Sequence, residues 1–412
     1  MKISWYSHYF TPEIGAPSAR LFDLSSQWVG AGHAVSVTTC FPNHPGGELY
    51  PGYRMTLHQE ENLNGITVHR LPTYVAANRG FIKKLGGHLS YIPPALVRAV
   101  ALKEEADIII GSSPTFFAAL AGAGAALLRR RPFVMEVRDL WPAIFVELGV
   151  LKNPMLIRML EAIELALYKQ ASAVVTVTDA FRQNLISRGV DPRKVAMIPN
   201  GADTDFWLPD NDARQYKQAL GLGNKFVVLY IGAHGISHGL SSVLECARRL
   251  QSVSTQIQFL FVGDGAEKPM LKKRAGELGL QNVAFHAPVD KQGVRRFYAL
   301  SDVCLVPLRD IPLFDAFIPS KMFEIMAMGR PIVASLKGEA ADIVRRSGGG
   351  LIVRPEDPGA LQDAIQDLHN QHRLCAELGS SGRRFVCDHY SRRALAEQYI
   401  GVLEEAAQAY GR

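Results

Sequence analysis

The sequence predicts an α/β chain folded as two doubly wound, parallel-sheet domains, and three observations predict it. Short apolar strand candidates alternate with amphipathic helical stretches from end to end. The strands read as near-continuous apolar runs, the pattern of sheets covered on both faces. The rhythm breaks once, at residues 198–212 (IPNGADTDFWLPDND), and then restarts. That stretch is rich in Pro, Gly, Asn and Asp and fits neither period, so the hinge is placed there. A single sheet of about twelve strands is less favourable than two of about six.

In the first half, strands are predicted over 3–9, 35–40, 66–71, 108–111, 133–137 and 173–178. The helices between them fall at 19–29, 94–104, 114–128, 155–170 and 180–187. In the first helix Leu21, Leu24 and Trp28 share one face, and Gly32 supplies the stop. In the second half the strands are 226–231, 257–262, 283–286, 303–307, 331–334 and 350–353. Its helices are 240–251, 270–279, 292–300, 321–328, 340–345 and 358–369. Residues 391–410 form a last amphipathic helix, with Leu395, Tyr399 and Leu403 on one stripe. It follows the second domain's last strand and is expected to cross back to the first. The expected division is 1–200, a linker 201–212, 213–385, and a terminal helical segment 386–412.

Composition narrows the function classes. Of 412 residues, 48% are hydrophobic and 20% charged, so the chain is neither disordered nor fibrous. The net charge of +6 is shared evenly between the halves, with no basic or acidic tail. That argues against nucleic acid as a partner and suits an anionic small ligand or an anionic membrane surface. Five cysteines without a C-x-x-C spacing fit a reducing compartment. No signal peptide opens the sequence, and the longest apolar run, 116–128, is too short to span a bilayer. A cytoplasmic protein is expected, able to lie peripherally at the inner membrane face.

Five stretches carry chemistry. The loop after the first strand, residues 11–20, contains Gly15, Ala16, Pro17 and Arg20. Gly15 removes a side chain at a strand-to-helix turn, and the N–H groups of that turn attract an anion. An ordinary βα loop would look the same. The second stretch, 232–239 (GAHGISHG), follows the strand FVVLYI. Gly232 and Gly235 let the backbone approach a phosphate, and His234 and His238 can donate to its oxygens. The histidine spacing of i, i+4 also resembles a metal pair, but no Asp or Glu completes it, so no metal is assigned.

The third stretch is 319–334 (PSKMFEIMAMGRPIVA). Ser320 can cap a helix there. Lys321 lies in the first turn, where the dipole disfavours a cation unless an anionic ligand balances it. Glu324 follows one turn later and can accept both hydroxyls of a ribose. An exposed Lys–Glu pair is the plain alternative. The fourth stretch, 136–142 (EVRDLWP), places Arg138 and Asp139 at the ligand edge of the first domain, as substrate contacts or as an ion pair. In the fifth, Arg79, Lys83, Lys84 and Arg98 are interleaved with apolar residues and no acid. That pattern suits acceptor or membrane contact, or a solvated face. The Arg129-Arg130-Arg131 run admits the same two readings. H-E-x-x-H does not occur.

At Pro-Ser-Lys-x-x-Glu the chain resembles glycosyltransferase family 4, retaining enzymes of the GT-B fold, in which two Rossmann-like domains face each other across a cleft. The resemblance covers nearly the whole sequence. Residues 198–203 (IPNGAD) are similar to the family's interdomain signature, and Gly32-His33 to its first helix–strand turn. Residues 136–142, the Gly/His loop and Pro-Ser-Lys-x-x-Glu together are similar to the N-acetyl-L-fucosaminyltransferase-like branch of surface-polysaccharide assembly.

The resemblance implies retaining transfer from a nucleotide diphosphate sugar, UDP-linked, to a lipid-linked saccharide in O-antigen or capsule assembly. N-acetyl-L-fucosamine is one such sugar. Glu324 then binds the nucleotide ribose, and the glycine-rich loops cradle the diphosphate with Lys321 nearby. No cofactor or metal is implied. Four positions depart from the family. Ala316, beside Asp315, stands where a Glu is usual; Ala233 and His238 replace two cations; Arg138 replaces a His. The expected catalytic set is Lys321, Glu324, Asp315, Arg138 and Asp139. An epimerase of the same architecture, or an inactive nucleotide-sugar-binding protein prompted by Ala316 and Ala233, are the alternatives.

Overall fold

The computed structural model describes every residue except 14, 45, 76–80, 102–104, 114, 148, 211–212 and 412, and it leaves aside the side chains of 81–84 and 213. Ile14 of the first loop, Arg79 and the end of the hinge therefore lie outside the described residues. The chain divides into two compact units, Met1–Pro199 with Arg392–Arg412, and Asn200–Ser391. All five cysteines are free thiols.

The first unit holds an eight-stranded sheet in the order β3-β4-β2-β1-β5-β6-β7-β8. Its strands are β1 (Lys2–Tyr6), β2 (Ala34–Cys40), β3 (Gln59–Leu63), β4 (Ile66–Leu71), β5 (Ile108–Ser112), β6 (Phe133–Val137), β7 (Ala173–Thr176) and β8 (Val195–Met197). All neighbours pair in parallel except β3, which runs antiparallel to β4. The sequence did not predict β3 or β8. β3 reads QEENL, an edge strand whose polar residues carry no apolar alternation, and β8 is three residues long. The chain adds β2 and β4 on one side of β1 and then returns to place β5 on the other. The switch in strand order therefore falls between β1 and β5.

The helix Arg392–Tyr410 buries the predicted stripe of Leu395, Tyr399 and Leu403 in this unit's core. Trp5 stacks on Trp28 at 5.2 Å, and Tyr399 meets the Trp28 ring edge-on at 5.3 Å. The indole N–H of Trp28 donates to the Ala396 carbonyl at 3.0 Å, and Arg392 pairs with Asp23. Burying each of these aromatic side chains contributes roughly 1.5–3 kcal/mol.

The second unit holds a six-stranded, wholly parallel sheet in the order β11-β10-β9-β12-β13-β14. Its strands are β9 (Phe226–Ile231), β10 (Ile257–Val262), β11 (Val283–His286), β12 (Val303–Pro307), β13 (Ile332–Ser335) and β14 (Gly350–Val353). Asp290 caps the helix Lys291–Leu300 by accepting from Gly293 N, and Asp357 caps Pro358–Asn370 by accepting from Gly359 N and Ala360 N. The helix His372–His389 was not predicted. Here the switch in strand order falls between β9 and β12, where ligands of doubly wound sheets bind. Among the described residues, no helix is long and apolar enough to cross a membrane.

Candidate functional site

The loop after β9 opens on Gly232, whose φ of +137° belongs to a region that favours glycine. A Cβ at Gly232 would lie 2.8 Å from the Nζ of Lys321. That nitrogen is buried, has no hydrogen-bond partner, and stands 4.2 Å from the centroid of the Tyr230 ring. The Tyr230 hydroxyl donates to the Ala233 carbonyl at 2.5 Å, so the same residue braces the loop and faces the ammonium. Burial pushes the Lys321 amine down to about 8, against an opposing pull from Glu324. The ammonium thus stands without a hydrogen-bond acceptor beside a partly exposed glycine loop at the switch point.

Glu324 lies in the same short helix, Lys321–Ala327, and accepts from the Tyr298 hydroxyl at 3.2 Å. That bond holds one carboxylate oxygen. Asp315 occupies a short turn, Pro312–Ala316, with its side chain exposed. Its backbone is the part under constraint: a Cβ on Gly338 would fall 2.0 Å from the Asp315 carbonyl oxygen.

The two histidines differ. The His234 ring is 0% exposed and packs among Tyr230, Phe261 and Phe285. A ring with no accessible atom cannot donate to a ligand, so the expected phosphate contact from its side chain is corrected. Its backbone N–H bonds the Asp264 carbonyl at 2.8 Å, and Glu267 N returns to the His234 carbonyl at 2.9 Å. This buttress needs Gly263 and Gly265: a Cβ on either would strike the carbonyl oxygen of Gly232 or His234, at 2.0 and 2.5 Å. The Gly263-Asp264-Gly265 run after β10 was the available signal for that second loop, and the sequence reading passed over it. His238 is partly exposed, and burial pushes its imidazole down to about 3, against a hydrogen bond to the Pro307 backbone. It is therefore neutral at pH 7 and cannot replace a lost cation. Gly235 is partly exposed between the two, and Ala233 is exposed.

In the first unit, Gly15 precedes the helix Ala16–Gly30, which has no side-chain cap and no acidic residue in its first turn. Gly15 and Ala16 are exposed. Arg20 is 3% exposed, and its guanidinium donates to Glu136 Oε1 at 3.0 Å and to the carbonyls of Pro199 and Ile198 at 2.8 and 3.0 Å. Glu136 also accepts from Ser112 Oγ at 2.6 Å. Arg20 is thus an internal brace, which corrects its expected place among the donor contacts. Arg138 donates from its backbone to Ser113 Oγ at 2.8 Å and from its guanidinium to the Ala16 carbonyl at 3.1 Å, while its Nε is buried without a partner. Burial pushes its guanidinium below the usual range. Asp139 N also approaches Ser113 Oγ, at 3.4 Å. Arg138 and Asp139 therefore sit beside the Gly15 turn, at the carboxyl end of β6.

Another group unread in the sequence is Glu13. Its buried carboxylate accepts from the backbone of Phe10, Asn43 and His44 and so ties the first loop to the segment after β2. Of the basic stretch, the side chains of Lys83 and Lys84 lie outside the described residues. Arg98 is 4% exposed and donates to Thr38 Oγ1 at 3.0 Å. A buried guanidinium cannot rest on a lipid surface, so its expected membrane contact is corrected. The helix Ile92–Ala101 turns Ala95, Arg98 and Ala99 inward.

Comparison with known proteins places this geometry. Residues 15–201 match the glycosyl transferase 4-like domain, and residues 225–371 match glycosyl transferases group 1. An Escherichia coli protein, WcaI, which carries the name of a colanic acid biosynthesis glycosyl transferase, is 26% identical over 376 residues, covering 89% of this chain and 91% of its own. Among solved structures, sucrose-phosphate synthase from Thermosynechococcus elongatus superposes with a TM-score of 0.78 at 20% identity, over 99% of both chains. Anabaena HepE, solved in complex with UDP-glucose, gives 0.74 at 19% identity, over 98% of this chain and 99% of its own.

Proposed function

The chain is a glycosyltransferase of the GT-B fold, and on that premise we propose that it transfers a sugar, with retention, from a UDP sugar to a lipid-linked saccharide of a surface polysaccharide. The observation that carries this reading is the buried Lys321 ammonium, unpartnered at the switch point between β9 and β12. Its chemistry calls for a polyanion. A departing nucleoside diphosphate gathers negative charge in the transition state, and a preorganised cation and loop N–H groups stabilise that charge. Lys321 reaches the diphosphate by rotation of its partly exposed stem. The Glu324 carboxylate takes the ribose hydroxyls. With Arg20 and His238 withdrawn from the charge balance, Lys321 and the backbone N–H groups of the 232–239 loop carry it.

Two further supports bear on the substrates. HepE was solved with UDP-glucose, and the WcaI name places that relative in colanic acid biosynthesis. Both favour transfer over the epimerase and inactive-protein alternatives. For the lipid-linked acceptor, the support is a surface of the first unit. Val97 and Val100 on the helix Ile92–Ala101, and Leu127 and Leu128 on the adjoining helix Phe116–Arg129, are exposed beside the exposed Arg130 and Arg131. Apolar residues bordered by arginine suit the inner face of an anionic membrane. The sugar is an N-acetylated deoxyhexosamine such as N-acetyl-L-fucosamine, as the resemblance of the 136–142 and Gly/His stretches suggests.

The test is a melting-temperature series with free nucleotides and nucleotide sugars, followed by an assay of UDP release with membrane extract as acceptor. Stabilisation by UDP and one UDP sugar, with acceptor-dependent release and a product that keeps the donor's anomeric configuration, is expected. Absence of any nucleotide effect would remove the donor assignment, and an epimerised free UDP sugar would replace transfer.

A further inference from the structure

β3 begins directly after His58. Side chains alternate along an extended strand, so His58 and Glu60 project to one face. The antiparallel register sets Glu60 directly opposite His69 of β4. The three residues therefore share one face at the open edge of the first unit's sheet.

Their donor atoms are close. His58 Nε2 lies 3.2 Å from His69 Nδ1, and Glu60 Oε2 lies 3.5 Å from that same nitrogen. All three donor atoms fall within 4.8 Å of one another. Tetrahedral zinc, with bonds of about 2.0–2.2 Å to nitrogen and oxygen, holds its donor atoms about 3.3 Å apart. The observed separations thus already approximate the edges of a zinc tetrahedron. We propose that His58, Glu60 and His69 form a binding site for a divalent transition-metal ion, zinc foremost, remote in sequence from the transfer chemistry.

The donor set supports that choice. Two imidazoles and one carboxylate suit zinc and its neighbours, whereas magnesium and calcium favour all-oxygen sites. His69 is 4% exposed and fixed within β4, while His58 and Glu60 are exposed. The buried ligand gives the site a rigid base, and the exposed pair leaves an entry path and a fourth position for water. The Arg98 guanidinium acts on His58 electrostatically and opposes a cation, so the three ligands must outweigh it. What the ion would do is structural. β3 is an edge strand of sequence QEENL, with little apolar surface to hold it. A metal bridging His58 and Glu60 to His69 would clamp that strand to β4 and anchor the irregular segment that precedes it.

The experiment uses the full chain, stripped with a chelator, dialysed against zinc and analysed for bound metal, with a chromophoric zinc chelator as competitor. One zinc per chain is expected, with a rise in melting temperature and, on cobalt substitution, the absorption of a tetrahedral site. His58→Ala and Glu60→Gln alter exposed side chains, so the zinc-free variants should melt with the wild type. Each should weaken zinc binding by at least about tenfold and lose the zinc-dependent rise. Failure of the wild type to retain zinc overturns the proposal. So does retention that His58→Ala leaves unchanged, which would place the ion on other histidines or cysteines.

Discussion

The ammonium of Lys321 stands 4.2 Å from the centroid of the Tyr230 ring and against Gly232, where an added Cβ would come within 2.8 Å of it. A cation over an aromatic face gains about 2 kcal/mol or more when desolvated. Burying an ammonium without a hydrogen bond costs more than that. The site therefore holds a charge that Glu324 offsets only in part, and the first predictions follow from that imbalance.

Lys321→Met removes the buried charge and keeps much of the stem's volume. Melting temperature should hold or rise, while turnover falls by roughly 10²–10³, as for loss of one transition-state stabilising group. Calorimetry and steady-state UDP release measure the two quantities separately. A variant that unfolds, or that turns over normally, contradicts the assignment.

The Lys321 amine also sets a pH dependence. Its folded value is about 8, below the ordinary 10.5. Between those values the unfolded chain binds the extra proton, so this group's penalty is complete below pH 8 and fades as pH rises toward 10.5. The stability gap between wild type and Lys321→Met should narrow over that window. On the proposed assignment UDP binds the protonated amine, so its affinity should weaken as pH rises above 8. Lys321→Arg should abolish the inflection in a calorimetric titration.

Two glycines should respond differently. Gly232→Ala combines a φ of +137° with a Cβ at 2.8 Å from Nζ, and should cost about 1–3 kcal/mol of stability. Gly15 has an extended φ of 166°, and the nearest atom to an added Cβ is Pro17 Cδ at 3.7 Å. Gly15→Ala should leave the chemical-denaturation midpoint unchanged. Any loss of activity it causes then reports a ligand approaching that turn.

His234 and His238 are held neutral by burial, at about 4 and about 3 against an ordinary 6.5. The unfolded chain binds those protons first, so the stability these groups contribute is present above pH 6.5 and is lost as pH falls toward 4. In melting curves across pH 4–7, His234→Phe and His238→Gln should each flatten the acid limb. An unaltered limb would mean the rings are not held neutral.

Arginines on one unit should separate by burial. Arg98→Ala removes the donor to Thr38 and should lower the melting temperature without changing vesicle binding. Charge reversal at Arg130 and Arg131 should leave melting unchanged and weaken sedimentation with anionic vesicles, most clearly at low salt. Equal vesicle binding by wild type and reversed chains would remove the membrane surface from the functional account.

Legibility followed the range of the signal. β9, β10 and β12 were readable because four or more apolar residues in a row announce a buried parallel strand. The stripe of Leu395, Tyr399 and Leu403 was readable because helical period is local. β3 was not, since an edge strand of Gln, Glu, Glu and Asn owes its conformation to hydrogen bonds from β4. Lys321 and Glu324 were singled out from one short motif, yet nothing in that motif pointed to Tyr230 or Tyr298. Arg20 and Arg98 misled because charge is visible in a sequence and burial of charge is not: each is enclosed by partners more than fifty residues away.

The sequence by itself determined the alternating α/β pattern, the parallel sheets, the glycines of the strand-to-helix turns after β1 and β9 and the residue types available for anion binding. The tertiary structure alone decided the strand order, hence which loops meet at the switch points. It also decided the pairing register that brings His58, Glu60 and His69 to one face, and the direction in which His234, Arg20 and Arg98 turn. The division has a physical cause. Period, turn chemistry and capping act within a few residues and leave local marks, whereas register and burial come from contacts across the chain that no single segment encodes.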